Sequence, residues 1–409
     1  MLRTDIVRRA DDLAAIAPRW RDLLAAASHR QPVSTPLWLL AWWKEFGDAD
    51  GRALRAVLVF DADELVGLLP LASRRLLHRR AIPVRRLELL GTGEDESDEI
   101  CSEYVGALVA RGREADVARA AVRALLDGAL GDWDELRMTA MNGDDPFVER
   151  LAGELRGAGV DAAVDRTGEC PYVPLPATWD EYLRALGSSR RYVVTRSLRE
   201  LDKWAAPGGW QLRRATTPDE LLEGRRVLRE LHAERWEASG RSGVFASERF
   251  ARFHDVVMPR LLAGEDGARL DLSWLVARGE PIAASYSVVF DDKVYFYQSG
   301  RRVDLPKGVR PGIAMHALCI RASIEAGRRE YDFLGGASRY KRDLSLGVRH
   351  LVRLRAVAPG LRSRAVDALR TFSEQAAARV RRARAAVVWS RRAPEGSAER
   401  APERGEGAD

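Results

Sequence analysis

The sequence predicts a mixed α/β protein in which two tandem mixed sheets are flanked by helices. Short runs rich in β-branched and aromatic residues, such as residues 282–290, stand between polar turns and are typical of strands. Longer runs, such as residues 113–130, repeat apolar side chains at helical spacing. Both kinds of segment recur in each half of the 409 residues, a length that suits two domains. We therefore expect an N-terminal domain over 1–170 and a C-terminal domain over 171–358.

The first half begins with an amphipathic segment and continues into strands. Residues 53–60 and 65–75 flank the turn DADE and predict a β-hairpin. Further strands are expected at 85–91, 103–110 and 133–141, with the helix at 113–130 before the last of them. The Gly- and Pro-marked residues 142–178 are typical of a junction.

The second half is predicted to be richer in helices. Helices are expected at 189–204, 218–236, 248–263 and 311–327. Strands are expected at 271–278, 282–290, 294–300, 330–335 and 349–357, the first three as a meander with short polar turns. Residues 359–409 form an Ala/Arg-rich basic helix followed by a low-complexity tail that we expect to be disordered.

Composition excludes several classes of protein. The net charge of +6 comes from Arg spread among 60 acidic residues, and this dispersion argues against a dedicated nucleic-acid surface. Three well-separated cysteines and six scattered histidines argue against a disulfide framework and a metal site. No apolar run approaches the ~20 residues that a spanning helix needs, and the charged N-terminus does not resemble a signal peptide. We expect a cytoplasmic protein without metal.

The segment before the helix at 311 carries the clearest chemical pattern. A strand ends near Gly300, a loop follows, and the helix begins beside Gly308, Arg310 and Gly312. The free N–H groups and the dipole of a helix N-terminus attract anions, and Lys307 and Arg310 add positive charge. The pattern favours a pyrophosphate site, although a plain helix start with proline in the first turn would look similar.

Several motifs resemble one known family. They are RRYVVTRSLRELDK (190–203), FARFHDVVMPRLLA (250–263), GEPIAASYSVVFDDKVYFYQSG (279–300), SIEAGRREYDFLGGASRYKRDL (323–344) and, in the first half, LELLGTGEDESDE (87–99). Together they resemble the CelD-like acetyltransferases of the GNAT superfamily, a group related to the FemAB peptidyltransferases. The resemblance implies a tandem GNAT-like fold and acyl-CoA, such as acetyl-CoA, as co-substrate. The family's compact phosphate loop is here longer and contains KGVRPG (307–312), and FemAB relatives use aminoacyl-tRNA instead.

The resemblance also implies positions for the site. The strand at 294–299 would splay from its neighbour, and the cofactor would bind at Gln298, Ser299, Gly300, Lys307, Gly308, Arg310 and Gly312. Asp332 is a candidate base or substrate-orienting group, or else a structural carboxylate. Tyr340 and Tyr297 are candidate acids, the latter otherwise a core tyrosine. Substrate contacts are expected from Arg191, Trp236, Arg339 and Lys341, each of which could instead have a solvated or packing role.

The predicted function is transfer of an acyl group from acyl-CoA to an amine or hydroxyl. By resemblance, the acceptor would be a small molecule or an intermediate of the cell envelope or of an exopolysaccharide. Two alternatives stay open, a FemAB-type transferase that uses aminoacyl-tRNA and a non-catalytic accessory protein of polysaccharide synthesis. The C-terminal basic helix predicts either peripheral contact with an anionic membrane or weak packing on the domain.

Overall fold

A computed structural model of the protein describes residues 2–79, 81–336 and 338–390, with the backbone alone for 376–390. In this part of the chain the strands are β1 (Arg3–Val7), β2 (Arg52–Leu54), β3 (Ala56–Asp61), β4 (Glu64–Leu69), β5 (Leu71–His78), β6 (Ile82–Leu89), β7 (Leu108–Val109), β8 (Glu135–Asn142), β9 (Asp161–Pro174), β10 (Trp210–Arg214), β11 (Arg269–Ala277), β12 (Glu280–Phe290), β13 (Lys293–Arg301), β14 (Glu330–Asp332) and β15 (Gly347–Val357).

The α-helices of the same part are α1 (Ala10–Ala15), α2 (Ala17–Ala26), α3 (Pro36–Phe46), α4 (Glu114–Leu126), α5 (Pro146–Gly157), α6 (Trp179–Ala185), α7 (Ser188–Ala205), α8 (Pro218–Glu237), α9 (Glu248–Leu262), α10 (Pro311–Glu325), α11 (Arg339–Leu344) and α12 (Leu361–Ser390). None of the described helices is both long and apolar enough to cross a membrane. The tail expected to be disordered, after residue 390, lies outside the described residues.

The sheets confirm the predicted mixed α/β class. Eleven strands form one large sheet in the order β10-β11-β12-β13-β14-β9-β15-β8-β6-β5-β2, and β1-β3-β4-β7 form a smaller one. Strands of the first half occupy one end of the large sheet and most strands of the second half occupy the other. They meet at β15, which is antiparallel both to β9 and to β8. The expected division near residue 170 falls within β9, and the domain boundaries stay a prediction.

Local deviations from the predicted elements have physical causes. The expected strand at 65–75 is two strands in different sheets, separated by Pro70, which has no N–H to donate to a ladder. The expected strand at 103–110 shrinks to β7 because Tyr104 has a φ of +70°, which ends extended pairing. The presumed junction contains α5, begun by Asp145 accepting from the Phe147 N–H, and the long strand β9.

The first half packs its third helix against the sheet of the second half. Trp38 of α3 lies edge-on to Phe253 of α9 at 5.0 Å and to Tyr297 of β13 at 5.7 Å between ring centroids. Burial of such rings contributes roughly 2–3 kcal/mol each. The Trp38 indole also donates to the Ser102 hydroxyl at 3.0 Å. This contact fixes the loop of residues 91–107, which the first half extends towards β13 and β14.

Candidate active site

A gap opens between β13 and β14. β13 pairs with β12 from Lys293 to Arg301, but it pairs with β14 only over Lys293–Tyr295. Because β14 ends at Asp332, the described chain provides no strand on that side of residues 296–301. Backbone N–H and C=O groups at such an edge require partners. The gap therefore offers a ligand an exposed strand edge about 20 Å long, as the splayed-strand prediction expects.

The wide end of this gap leads to a cavity of about 430 Å³. The C-terminal end of β13, the loop of residues 302–310 and the start of α10 enclose it, together with Arg235 of α8 and Tyr340 of α11. Pro311 occupies the first turn of α10, where its missing N–H costs no hydrogen bond. Apolar side chains cover much of the wall, among them Leu305, Val309, Ile313 and Met315.

Four arginines line the same cavity, namely Arg235, Arg301, Arg302 and Arg310. Arg302 pairs with Glu280 at 3.2 Å. Among described residues, no carboxylate forms an ion pair with the other three. Burial, and then the nearby charge of Arg235, lowers the pKa of Arg301. The cavity thus combines an apolar wall with three arginines that form no ion pair among the described residues, an arrangement suited to a ligand that carries phosphates on an organic body.

The predicted cofactor residues divide into two groups. Ser299, Gly300, Arg310 and Gly312 line the cavity, together with Arg301, which sequence reasoning missed. Gln298, Lys307 and Gly308 are not among the residues that line it. Gly308 has a φ of +110°, a conformation that favours glycine and lets the loop turn into α10.

Asp332 is enclosed by its own chain. Its side chain is 0% exposed, and it accepts hydrogen bonds from Tyr104 at 2.9 Å, Arg349 at 2.8 Å and the Leu334 N–H at 2.7 Å. Burial raises its pKa to about 6, against the opposing effect of Arg349. Tyr104 belongs to the first half, so this carboxylate ties the two halves together. The contact lies beside the narrow end of the gap, where Tyr295 of β13 still pairs with Asp332 of β14.

The candidate acids lie in different places. Tyr340 lines the cavity and stacks on His316 with ring centroids 5.1 Å apart. Burial lowers the pKa of His316 to about 3, and its Nδ1 lies 3.2 Å from the Tyr331 hydroxyl, so it is a neutral packed residue. The Tyr297 hydroxyl donates to the Ile100 carbonyl and lies 3.1 Å from His254 Nε2, outside the arginine-lined cavity.

The predicted substrate residues are also dispersed. Arg191 on α7 and Arg339 on α11 are exposed, the latter 93% so and 3.7 Å from Asp343. Trp236 lies in the last turn of α8 next to Arg235, whose guanidinium lies 5.3 Å from its ring. Lys341 is buried, and its ammonium donates to the carbonyls of Phe333 and Gly335. Of these four, Lys341 lies nearest to the narrow end of the gap.

Sequence reasoning missed a set of polar residues around that narrow end. Glu103 and Cys101 come from the loop of the first half, and Tyr295 from β13. The acidic residues of the motif 87–99 were visible in the sequence, but Glu103 was expected to begin a strand, and its position against β13 depends on contacts distant in sequence. Within the described ranges, no group of three or more metal-ligating side chains is present.

Comparisons with known proteins agree with this geometry. Residues 188–342 match a family described as an acetyltransferase (GNAT) domain. The crystal structure of FemX is similar at a TM-score of 0.53 and 12% identity, covering 82% of this chain and 95% of that one. No curated protein shows significant sequence similarity.

Weaker structural similarity extends to two further proteins. A tandem GNAT protein from the clavulanic acid biosynthesis pathway has a TM-score of 0.42 and 16% identity, over 88% of this chain and 100% of that one. L-PGS from Bacillus licheniformis has a TM-score of 0.44 and 11% identity, over 82% and 96%.

Residues 188–342 therefore match a GNAT acetyltransferase domain, and the fold of the chain is similar to that of FemX. The matched residues include the gap, the loop before α10 and the candidate Tyr340.

Proposed function

We propose that the protein transfers an acyl group from acyl-CoA to an amine or hydroxyl acceptor. The observation that carries this proposal is the gap between β13 and β14, which opens into the arginine-lined cavity. The phosphates of CoA would bind Arg235, Arg301 and Arg310 near the start of α10. Its pantetheine arm would lie along the free edge of β13, whose backbone groups can pair with the amides of the arm.

This placement gives the bound cofactor a direction. The arginines stand at the wide end of the gap and Tyr295 at the narrow end, about six residues or 20 Å along the strand. The acyl group would therefore lie near the narrow end, where the loop of the first half approaches. Tyr340 is our candidate acid for the departing thiolate, because its ring lies on the side of the cavity nearest the narrow end, 6.4 Å from that of Phe333. Asp332 is proposed as a positioning residue because three donors already occupy its carboxylate.

The acceptor is proposed from the CelD-like resemblance. It would be a small molecule or a cell-envelope or exopolysaccharide intermediate met in the cytoplasm. The basic helix α12 would bring the enzyme to an anionic membrane surface, and its exposed Leu369 and Phe372 supply apolar contact. Arg191, Arg339 and Trp236 remain proposed substrate contacts.

Binding of acetyl-CoA to arginine variants tests the cofactor assignment. A charge-assisted hydrogen bond contributes about 1.5–3 kcal/mol, so Arg310→Ala and Arg301→Ala should each weaken binding about tenfold or more by calorimetry. Arg226→Ala is the matched control, since this arginine is 59% exposed and pairs with Glu230 on α8. Unchanged affinity in both cavity variants would remove the pyrophosphate site. A protein that binds aminoacyl-tRNA and ignores CoA would support the FemAB-type alternative.

A further inference from the structure

At the narrow end of the gap, the sheet has one face towards α10 and another towards the first half of the chain. Successive strand residues point to opposite sides of a sheet. Phe296 packs on His316 of α10 at 4.5 Å, so Tyr295 points away from α10. On that side a small cavity lies between β13 and the first half, lined by Pro32, Val33, Trp38, Cys101, Glu103, Val288, Tyr295, Tyr297 and Leu334. Its volume of about 10 Å³ is close to the least that holds one water-sized group.

Glu103 is the carboxylate available at this cavity. In the part of the chain that the structure describes, no side chain donates a hydrogen bond to it or pairs with it within 4.0 Å. Asp332, in contrast, is held by three donors. The position that a Cβ on Gly335 would take is 2.7 Å from Glu103 Oε1, so the carboxylate lies against the loop that follows β14. It therefore stands beside the end of the gap where the acyl group would lie.

The Tyr295 hydroxyl is an independent sign of a ligand. The residue is 3% exposed, it lines the same cavity, and its hydroxyl has no hydrogen-bond partner among described residues. A buried hydroxyl without a partner costs about 1–3 kcal/mol. Burial raises its pKa further, which keeps the proton on the oxygen. The hydroxyl is thus an unused donor on a side chain that lines the same cavity as Glu103.

We infer that Glu103, supplied by the first half of the chain, is the general base of the acyl transfer, and that the Tyr295 hydroxyl donates to the acyl carbonyl oxygen. The acceptor N–H or O–H loses its proton to Glu103 while its lone pair attacks the thioester carbon. The tetrahedral adduct then expels the CoA sulfur, which takes up one proton. Acyl-CoA and acceptor give acylated acceptor and free CoA, and no other reactant is needed.

The electrostatic surroundings suit this role. Burial raises the pKa of Glu103 to about 7. The groups that face it are Glu99 and Cys101 of its own loop, Tyr295 and Tyr297 of β13, Asp332 of β14, Cys170 of β9 and Lys341 of α11. Lys341 opposes the effect of burial, while Glu99 and Asp332 add to it. A carboxylate with a pKa near 7 is partly ionised at neutral pH and is still basic enough to accept a proton, which suits a general base.

The inference rests on the proposed use of acyl-CoA, and the test separates the two. Acetyl-CoA binding is measured by calorimetry, and CoA release with a thiol reagent, in water and with a panel of primary amines, amino sugars and polyols. Glu103→Gln should bind acetyl-CoA within threefold of wild type but release CoA about 100-fold more slowly. Wild-type release should rise with pH through about 7, the pKa of Glu103, and the variant should lose this rise. Tyr295→Phe should slow release about tenfold.

The matched control is Glu96→Gln, an exposed carboxylate of the same loop, which should behave as wild type. Release by Glu103→Gln within threefold of wild type, with the same pH profile, would overturn the inference. Wild-type protein that binds acetyl-CoA and releases none with any acceptor would also overturn it, while leaving the cofactor site intact. Wild-type protein that does not bind acyl-CoA would overturn the proposed function, and this inference with it.

Discussion

Arg349 holds two buried carboxylates of the second half. It lies on β15 and bonds Glu330 with two nitrogens at 3.1 and 3.2 Å and Asp332 with one at 2.8 Å. The side chains of Glu330 and Asp332 are 11% and 0% exposed. A third partner, Asp144, is 67% exposed. Arg349→Met keeps most of the side-chain volume and removes the charge from this cluster.

The loss of unfolding free energy expected for Arg349→Met follows from these exposures. Removing one member of a buried ion pair costs about 3–5 kcal/mol, because the remaining charge loses its compensation. The exposed contact with Asp144 adds less than about 1 kcal/mol. Burial already raises the pKa of Asp332 to about 6, and loss of Arg349 raises it further. A carboxylate with a raised pKa loses its stabilising contribution as pH rises through that pKa. The difference in unfolding free energy between wild type and Arg349→Met should therefore be larger at pH 8 than at pH 5.5.

Urea unfolding followed by circular dichroism at both pH values measures this deficit. Arg353→Met is the matched control, since Arg353 lies on the same strand and pairs with Asp165 where the side chains are 32% and 50% exposed. The control should cost less than about 1 kcal/mol. Adding Asp332→Asn to Arg349→Met should restore part of the stability at pH 8. A loss equal to that of the control, or one independent of pH, would show that Arg349 does not compensate the buried Asp332 carboxylate.

Three further predictions concern single positions. Gly300→Ala should lower the free energy of unfolding measured in urea by about 1–3 kcal/mol, because the new Cβ would lie 2.4 Å from the His232 backbone nitrogen. Its control, Gly153→Ala, lies at an open position in a helix and should raise that free energy by about 0.5–1 kcal/mol. Burial raises the pKa of Glu94 to about 7, so Glu94→Gln should be more stable than wild type by about 2 kcal/mol at pH 8 and nearly equal at pH 5 in the same assay. Asp332→Asn should keep CoA release within about tenfold, and a 100-fold loss would show that Asp332 is itself the base.

Local signals in the sequence were sufficient for much of the second half. The predicted meander at 271–300 corresponds to β11, β12 and β13 within a few residues, because short polar turns bound each apolar run. Pro311 correctly indicated the start of α10. The position of a charged loop beside this helix also followed from the sequence, and residues of this loop line the cavity.

Contacts between distant residues were not predictable in this way. β9 is polar along one face and resembles a loop, yet it pairs along its length with β15, nearly 200 residues later. The loop that carries Glu103 and Tyr104 to β14 is held against the second half by contacts such as Trp38–Ser102 and Tyr297–Ile100, which join residues far apart in sequence. Arg301 is the last residue of β13, and the sequence does not indicate that its side chain lines the cavity. Lys307, the more obvious cation in the loop, does not line the cavity.

Whether the gap beside β13 binds acyl-CoA is decided by titration of the wild-type protein with acetyl-CoA. We expect stoichiometric heat of binding and stabilisation of about 2.7 kcal/mol against unfolding when the ligand is present at about 100 times its dissociation constant. The affinity should fall as salt rises, since arginines meet the phosphates with little competing carboxylate. An absence of both heat and stabilisation with acetyl-CoA and with longer acyl-CoAs would contradict the claim that the gap beside β13 is a cofactor site.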